Sequence, residues 1–167
     1  MEYQNLIILI IASTVLFNCK INNDSTPNYL ADIGDTTFNA KLDNPNFKFC
    51  DTSNVLHKRA YVKYSGGIRN LEDDIINQYQ IKPKYKTFSG YFIVRFAVNC
   101  NDETGRFRWE IVDTDFEKTG CSKELENHVI NILKGLKKWN HPLYRGKDYD
   151  GYTYLVIKIE NGNIVRS

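Results

Sequence analysis

The side chains able to do covalent or metal chemistry are few and far apart. The chain holds four cysteines (Cys19, Cys50, Cys100, Cys121) and three histidines (His57, His128, His141). No C-x-x-C pair occurs and no cysteine stands at ligand spacing from a histidine, so a zinc site has no basis in the spacing. Asp148 and Asp150 alternate within Arg145–Gly151 as calcium ligands do, but no bidentate Glu closes the loop, and they read as loop polarity. No Ser, Cys or carboxylate lies at a recognisable catalytic distance in sequence from a His. Arg95, Arg106 and Arg108 read as a solvated sheet face, Trp139 with Pro142 as a helix stop carrying a core aromatic, and His128 as a core-edge residue between Leu125 and Ile132. The chemistry expected is therefore recognition by backbone and aromatic groups, with no catalytic residue, no metal and no cofactor. Eleven Tyr and nine Phe suit half-buried sheet faces and binding surfaces alike.

Such groups need a scaffold, and the patterning supplies one. After Ser65-Gly66-Gly67, residues Ile68, Leu71, Ile75 and Tyr79 recur at helical spacing, with Glu72, Asp73 and Asp74 on the outer side and Pro83 as a stop. Phe92, Val94, Phe96 and Val98 then alternate with Tyr91, Ile93, Arg95, Ala97 and Asn99, which predicts a strand with one core face. Turn residues fill Asn99–Gly105, and a second strand sets Phe107, Trp109 and Ile111 against Arg106, Arg108 and Glu110. A helix is expected from Ser122, its N-cap, to Lys138, with Leu125, Val129, Ile132, Leu133 and Leu136 buried. The last long strand, Tyr152–Glu160, turns Leu155, Ile157 and Ile159 one way and Tyr152, Tyr154 and Val156 the other. Asn161-Gly162-Asn163 is a tight turn, after which Ile164-Val165 begins a short final strand. Residues 28–64 carry the weakest pattern. Phe47-Lys48-Phe49 and Tyr61–Tyr64 alternate, and this stretch is expected to form a small N-terminal elaboration.

The first 18 residues differ from the rest. Leu6–Phe17 is almost wholly apolar, too short for an ordinary membrane span of about 20 residues and the right length for a secretory signal core. It ends in Leu16-Phe17-Asn18-Cys19, which resembles the lipobox of bacterial lipoproteins. That resemblance implies cleavage after residue 18 and a lipid on Cys19. An ordinary secreted chain and an uncleaved anchor are the alternatives. Lys20–Pro27 is polar and reads as a flexible tether. The whole 167-residue chain, with a formal net charge of +2 and both signs interspersed, fits one modest domain plus flanking segments and does not suggest nucleic acid as a partner. Lipidation leaves three cysteines in a compartment that permits disulfides. A hairpin would put Cys100 and Cys121 at opposite ends, too far apart to bridge. Cys50 can meet either one, and three small buried thiols are favoured over any bridge.

From Tyr61 to Ser167 the order of elements resembles the C-terminal domain of the TonB family of periplasmic energy transducers. The residues carrying the likeness are Gly66-Gly67 with its helix, Gly90–Asn99, the turn with Gly105, the helix to Leu136, Trp139-Asn140-His141-Pro142, Gly146 and the closing strand. The resemblance implies an α+β fold, a three-stranded antiparallel sheet packed on two helices. It implies that the sheet edge takes up a short extended peptide of an envelope partner as an added strand, with Tyr152, Tyr154 and Val156 at that edge. The short apolar run and the four Pro of the whole chain differ from a transducer's membrane span and Pro-rich stalk, so energy transfer is not expected. The domain plan is thus a lipoprotein signal (1–18), a lipidated Cys19 with tether and elaboration (19–60), and a TonB-like domain (61–167). The expected protein is an interaction module on the Gram-negative cell envelope, placed at the outer membrane and binding an outer-membrane or periplasmic protein or peptide. A scaffolding lipoprotein and a small-molecule or glycan binder are the alternatives.

Overall fold

The computed structural model describes residues 37–56 and 62–166. The signal segment, Cys19 and the tether lie outside the described residues. Along the chain the elements are β1 (Lys63–Tyr64), α1 (Gly67–Gln78), a 3-10 turn (Pro83–Tyr85), β2 (Gly90–Val98), β3 (Thr104–Val112), α2 (Lys123–Gly135), β4 (Trp139–Asn140), β5 (Leu143–Tyr144), β6 (Lys147–Asp148), β7 (Gly151–Glu160) and β8 (Asn163–Val165). Among the described residues the fold is α+β, with two helices and antiparallel sheets. The main sheet has four strands rather than the three expected, in the order β3-β2-β7-β8, and two short ribbons, β1-β4 and β5-β6, accompany it. The fourth strand arises because Asn161 and Gly162 both take positive φ (47° and 76°), the geometry of a tight hairpin turn that folds β8 back on β7. At Gly162 a Cβ would stand 2.6 Å from the Tyr85 backbone, so the turn also needs glycine for space.

Period-two alternation in β2 sends Phe92, Val94, Phe96 and Val98 wholly out of solvent. Leu155, Ile157 and Ile159 of β7 and Phe107 and Ile111 of β3 join them on the same face. Helix α1 covers this layer with Leu71 and Ile75, and α2 with Leu125, Val129, Ile130, Ile132 and Leu133. Each such side chain contributes about 1.5–3 kcal/mol on burial. The Ser122 side chain accepts the Leu125 N–H at 3.3 Å, as its N-cap position requires. The helix stops at Gly135, short of the expected Lys138, because Leu136 turns extended (φ −65°, ψ 131°) to send Trp139 into the core. There Trp139 meets Tyr64 and Phe96 edge-on, with ring centroids 4.8 and 4.9 Å away.

The opposite sheet face is covered at one end by residues 37–56. Phe47 packs with Ala97 and Tyr152, and Phe49 and Val55 lean on that cluster. β3 makes room for this arm with a bulge, where the register steps between Arg95 and Ala97 and Arg106 takes φ 57°.

Candidate partner-binding edge

β7 is the strand expected to form the free edge, and the fold places it one strand further in. It pairs with β2 along its whole length, Gly151↔Val98 to Ile159↔Gly90, and with β8 over Lys158–Glu160. At the other end Leu56 bridges Gly151, its N–H bonded to the Asp150 carbonyl at 2.8 Å, while the Tyr152 N–H donates to the Leu56 carbonyl at 2.7 Å. Antiparallel pairing alternates the direction of backbone groups. Since Tyr152 and Lys158 direct theirs away from β2, Val156 does so as well. Among the described residues, no strand pairs with β7 between Thr153 and Ile157 on that side.

The three sequence candidates fare differently. Tyr152 is buried, its ring beneath the Arg95 guanidinium at 4.4 Å, so its side chain serves the core rather than a surface. Tyr154 and Val156 are 36% and 44% exposed. The stretch of β7 around Val156 borders an apolar groove of about 250 Å³. Ile68, Leu71, Ile75 and Ile76 of α1 form one wall, and Leu155, Ile157 and Ile164 the other. A wider opening of about 630 Å³ continues it past Thr153 toward Trp139 and Tyr64, sharing Ile68, Leu71 and Leu155. The two cations that line the groove are both paired, Arg166 with Asp73 at 2.5 Å and Lys158 with Glu160 at 2.5 Å. The site thus offers main-chain groups beside an apolar trough. That suits an extended segment with alternating apolar side chains.

The charged residues singled out in the sequence are used inside the molecule. Arg106 and Arg108 do not form a solvated face: their side chains are 14% and 11% exposed and clasp Asp43 at 3.1 and 2.8 Å. Burial by itself would raise the Asp43 carboxyl, but hydrogen bonds from Arg108, the Asn39 N–H and Arg106 hold it down at about 2. Asp150 is also buried, accepting the Asp51 N–H at 2.8 Å and the Cys100 N–H at 3.0 Å, so it is a structural acceptor rather than loop polarity. Cys50 and Cys100 form a disulfide, against the expectation of three buried thiols, and Cys121 is free. Pattern alone misjudged these groups because their partners come from residues 39–51, the stretch with the weakest periodicity.

His141 sits between two carboxylates, Nδ1 to Asp102 at 2.7 Å and Nε2 to Asp148 at 3.0 Å. Burial opposes protonation there, and the hydrogen bonds to Asp148 and Asp102 overcome it, so its pKa lies above the ordinary value. Both ring nitrogens are engaged, which leaves neither to act on a substrate in this arrangement. His128 stacks on Tyr79 with centroids 5.0 Å apart, and burial, with Lys82 nearby, lowers its pKa. Among the described residues, no helix is long and apolar enough to cross a membrane. No family model matches the chain, and no curated protein or solved structure matches it either.

Proposed function

We propose that this protein is a lipid-anchored module of the Gram-negative cell envelope that binds a short extended segment of another envelope protein along β7. The observation that carries this reading is Val156, exposed beside the α1 groove at a place where, among the described residues, no strand pairs with the outer side of β7. Backbone N–H and C=O groups at such a place are satisfied by water or by an added strand, and added strands gain affinity chiefly from main-chain bonds. The apolar walls select the side chains that point inward. The Cys50–Cys100 disulfide supports a location outside the cytoplasm, where such bonds persist. The likeness of the element order to TonB C-terminal domains supports the same mode of binding, with recognition kept and energy transfer absent. Lipidation at Cys19 would hold the module at the outer membrane.

The test is capture of envelope proteins on the intact protein, followed by titration of the segment identified with wild type and with Val156→Pro. Proline there removes an outward N–H and leaves the bonds to β2 in place. The expected result is a defined segment whose binding Val156→Pro abolishes while circular dichroism and thermal melting stay as in wild type. Binding that survives in the folded variant, or no captured segment at all, overturns the reading.

A further inference from the structure

Three side chains able to ligate a metal meet where the arm of residues 37–56 reaches the ends of β2 and β7. Cys50 lies on the arm, Cys100 just after β2 and Asp150 just before β7, each 50 residues from the next. Among the described residues, this is the group whose ligand atoms converge, with both sulfurs and an Asp150 carboxylate oxygen within 4.8 Å of one another. No two of the three are neighbours in the chain, which is why spacing gave no sign of them. Asp150 is 1% exposed. Its carboxylate is aimed by two backbone donors, the Asp51 N–H to one oxygen at 2.8 Å and the Cys100 N–H to the other at 3.0 Å. Outer hydrogen bonds of this kind fix a metal-ligating carboxylate. Each oxygen still has a second lone pair to offer.

A cavity of about 330 Å³ opens beside Cys50 and Asp150, with Lys147 on its wall. The Asp51 carboxylate also lines it, but accepts the Ser53 hydroxyl at 2.5 Å and the Asn54 amide at 2.7 Å, and so serves its own turn. A fourth position facing this cavity falls to water.

We propose that Cys50 and Cys100, once reduced, join Asp150 in a site for a thiophilic divalent cation, zinc or cadmium, with water as the fourth ligand. Two thiolates and one carboxylate suit such an ion. The co-reactant is a dithiol. Its thiolate attacks the exposed Cys50 sulfur, a mixed disulfide forms, and Cys100 leaves as thiolate and takes a proton. The second thiol of the reductant attacks the mixed disulfide, releasing Cys50 as a thiol and closing the reductant's own disulfide. Two electrons and two protons pass to the protein. The cation then displaces the two thiol protons, so two protons leave for each ion bound. A tetrahedral ion about 2.3 Å from each sulfur holds the sulfurs about 3.7 Å apart. Rotation about the Cα–Cβ bonds supplies that separation with the Cα atoms 6.1 Å apart. Three anionic ligands leave a divalent ion with one excess negative charge, and Lys147 stands on the side able to offset it.

Cobalt(II), which takes zinc's geometry and is coloured, tests this on the intact protein after reduction and anaerobic removal of the reductant. The expected result is one equivalent bound, with the strong visible bands of a tetrahedral site and a thiolate-to-cobalt charge-transfer band. Oxidised protein and the double variant Cys50→Ser/Cys100→Ser should give neither, although the variant retains Cys121. Titration with cadmium should show Asp150→Asn weaker by at least about tenfold, the lower end of what losing even an outer partner costs. The wild-type spectrum decides without any variant: weak octahedral bands, or no sulfur charge transfer, overturn the proposal. So does the same spectrum from oxidised protein or from Cys50→Ser/Cys100→Ser. A folded Asp150→Asn with unchanged affinity also overturns it, by leaving an ordinary dithiol in place of a built site.

Discussion

Replacing Asp43 with Asn removes the charge that two partly buried guanidinium groups share. The Asp43 side chain is 1% exposed and receives Arg108 at 2.8 and 3.0 Å, Arg106 at 3.1 Å and the Asn39 N–H at 2.8 Å. Its carboxyl lies at about 2 against an ordinary 3.8. At about 1.4 kcal/mol per unit, that difference is worth about 2 kcal/mol of stability at neutral pH. Breaking a buried pair by removing one partner costs about 3–5 kcal/mol, since the other charge is left behind. The Arg side chains keep some contact with water, so a loss of about 2–4 kcal/mol is expected for Asp43→Asn at pH 7. The sign with pH follows from a folded pKa below the unfolded one. The contribution is complete above 3.8 and disappears as pH falls through about 2. Urea unfolding of wild type and variant at pH 7 and in steps down to pH 2 measures both effects. The gap should narrow by about 2 kcal/mol over the acid range. A gap below about 0.5 kcal/mol at pH 7, the size of an exposed pair, or one that ignores pH, would refute the claim that Asp43 anchors the arm.

Two further outcomes follow from the same structure. His141 and His128 should bend the stability profile in opposite directions around the ordinary histidine value of 6.5. The His141 contribution is complete below 6.5 and is lost as pH rises through its raised folded value. The His128 contribution is complete above 6.5 and is lost as pH falls toward its lowered one. Melting curves between pH 5 and 8.5, on the order of the range over which histidine titrates, should lose the alkaline decline in His141→Ala and the acid decline in His128→Phe; curves parallel to wild type would contradict both assignments. In Gly105→Ala the new Cβ would stand 2.2 Å from Phe47 Cγ, so Phe47 must leave its cluster. A cost of about 1–3 kcal/mol is expected. It should nearly vanish in a Phe47→Ala background, and additive costs in a double-mutant cycle would show that the two do not touch.

The sequence by itself determined the elements whose periodicity one buried face imposes. Phe92 to Val98, Leu155 to Ile159 and the stripe from Leu125 to Leu133 each repeat at the spacing of the structure they form, because a single apolar face must meet the core. The Ser122 cap and the Asn161-Gly162 turn were legible for a local reason, since neighbouring backbone groups satisfy them. Tertiary structure alone decided the rest. Whether β7 is an edge depends on where Leu56 and β8 dock, and strand order leaves no trace in the alternation of one strand. Arg106 and Arg108 carry the same residue type whether water or Asp43 receives them, and Asp43 arrives from more than sixty residues away in the chain, as the hydrogen-bond separations of 63 and 65 record. The pairing of Cys50 with Cys100 likewise needed the path of an arm that lacks periodicity of its own, held by one clasped charge, one buried ring and the bonds to Asp150.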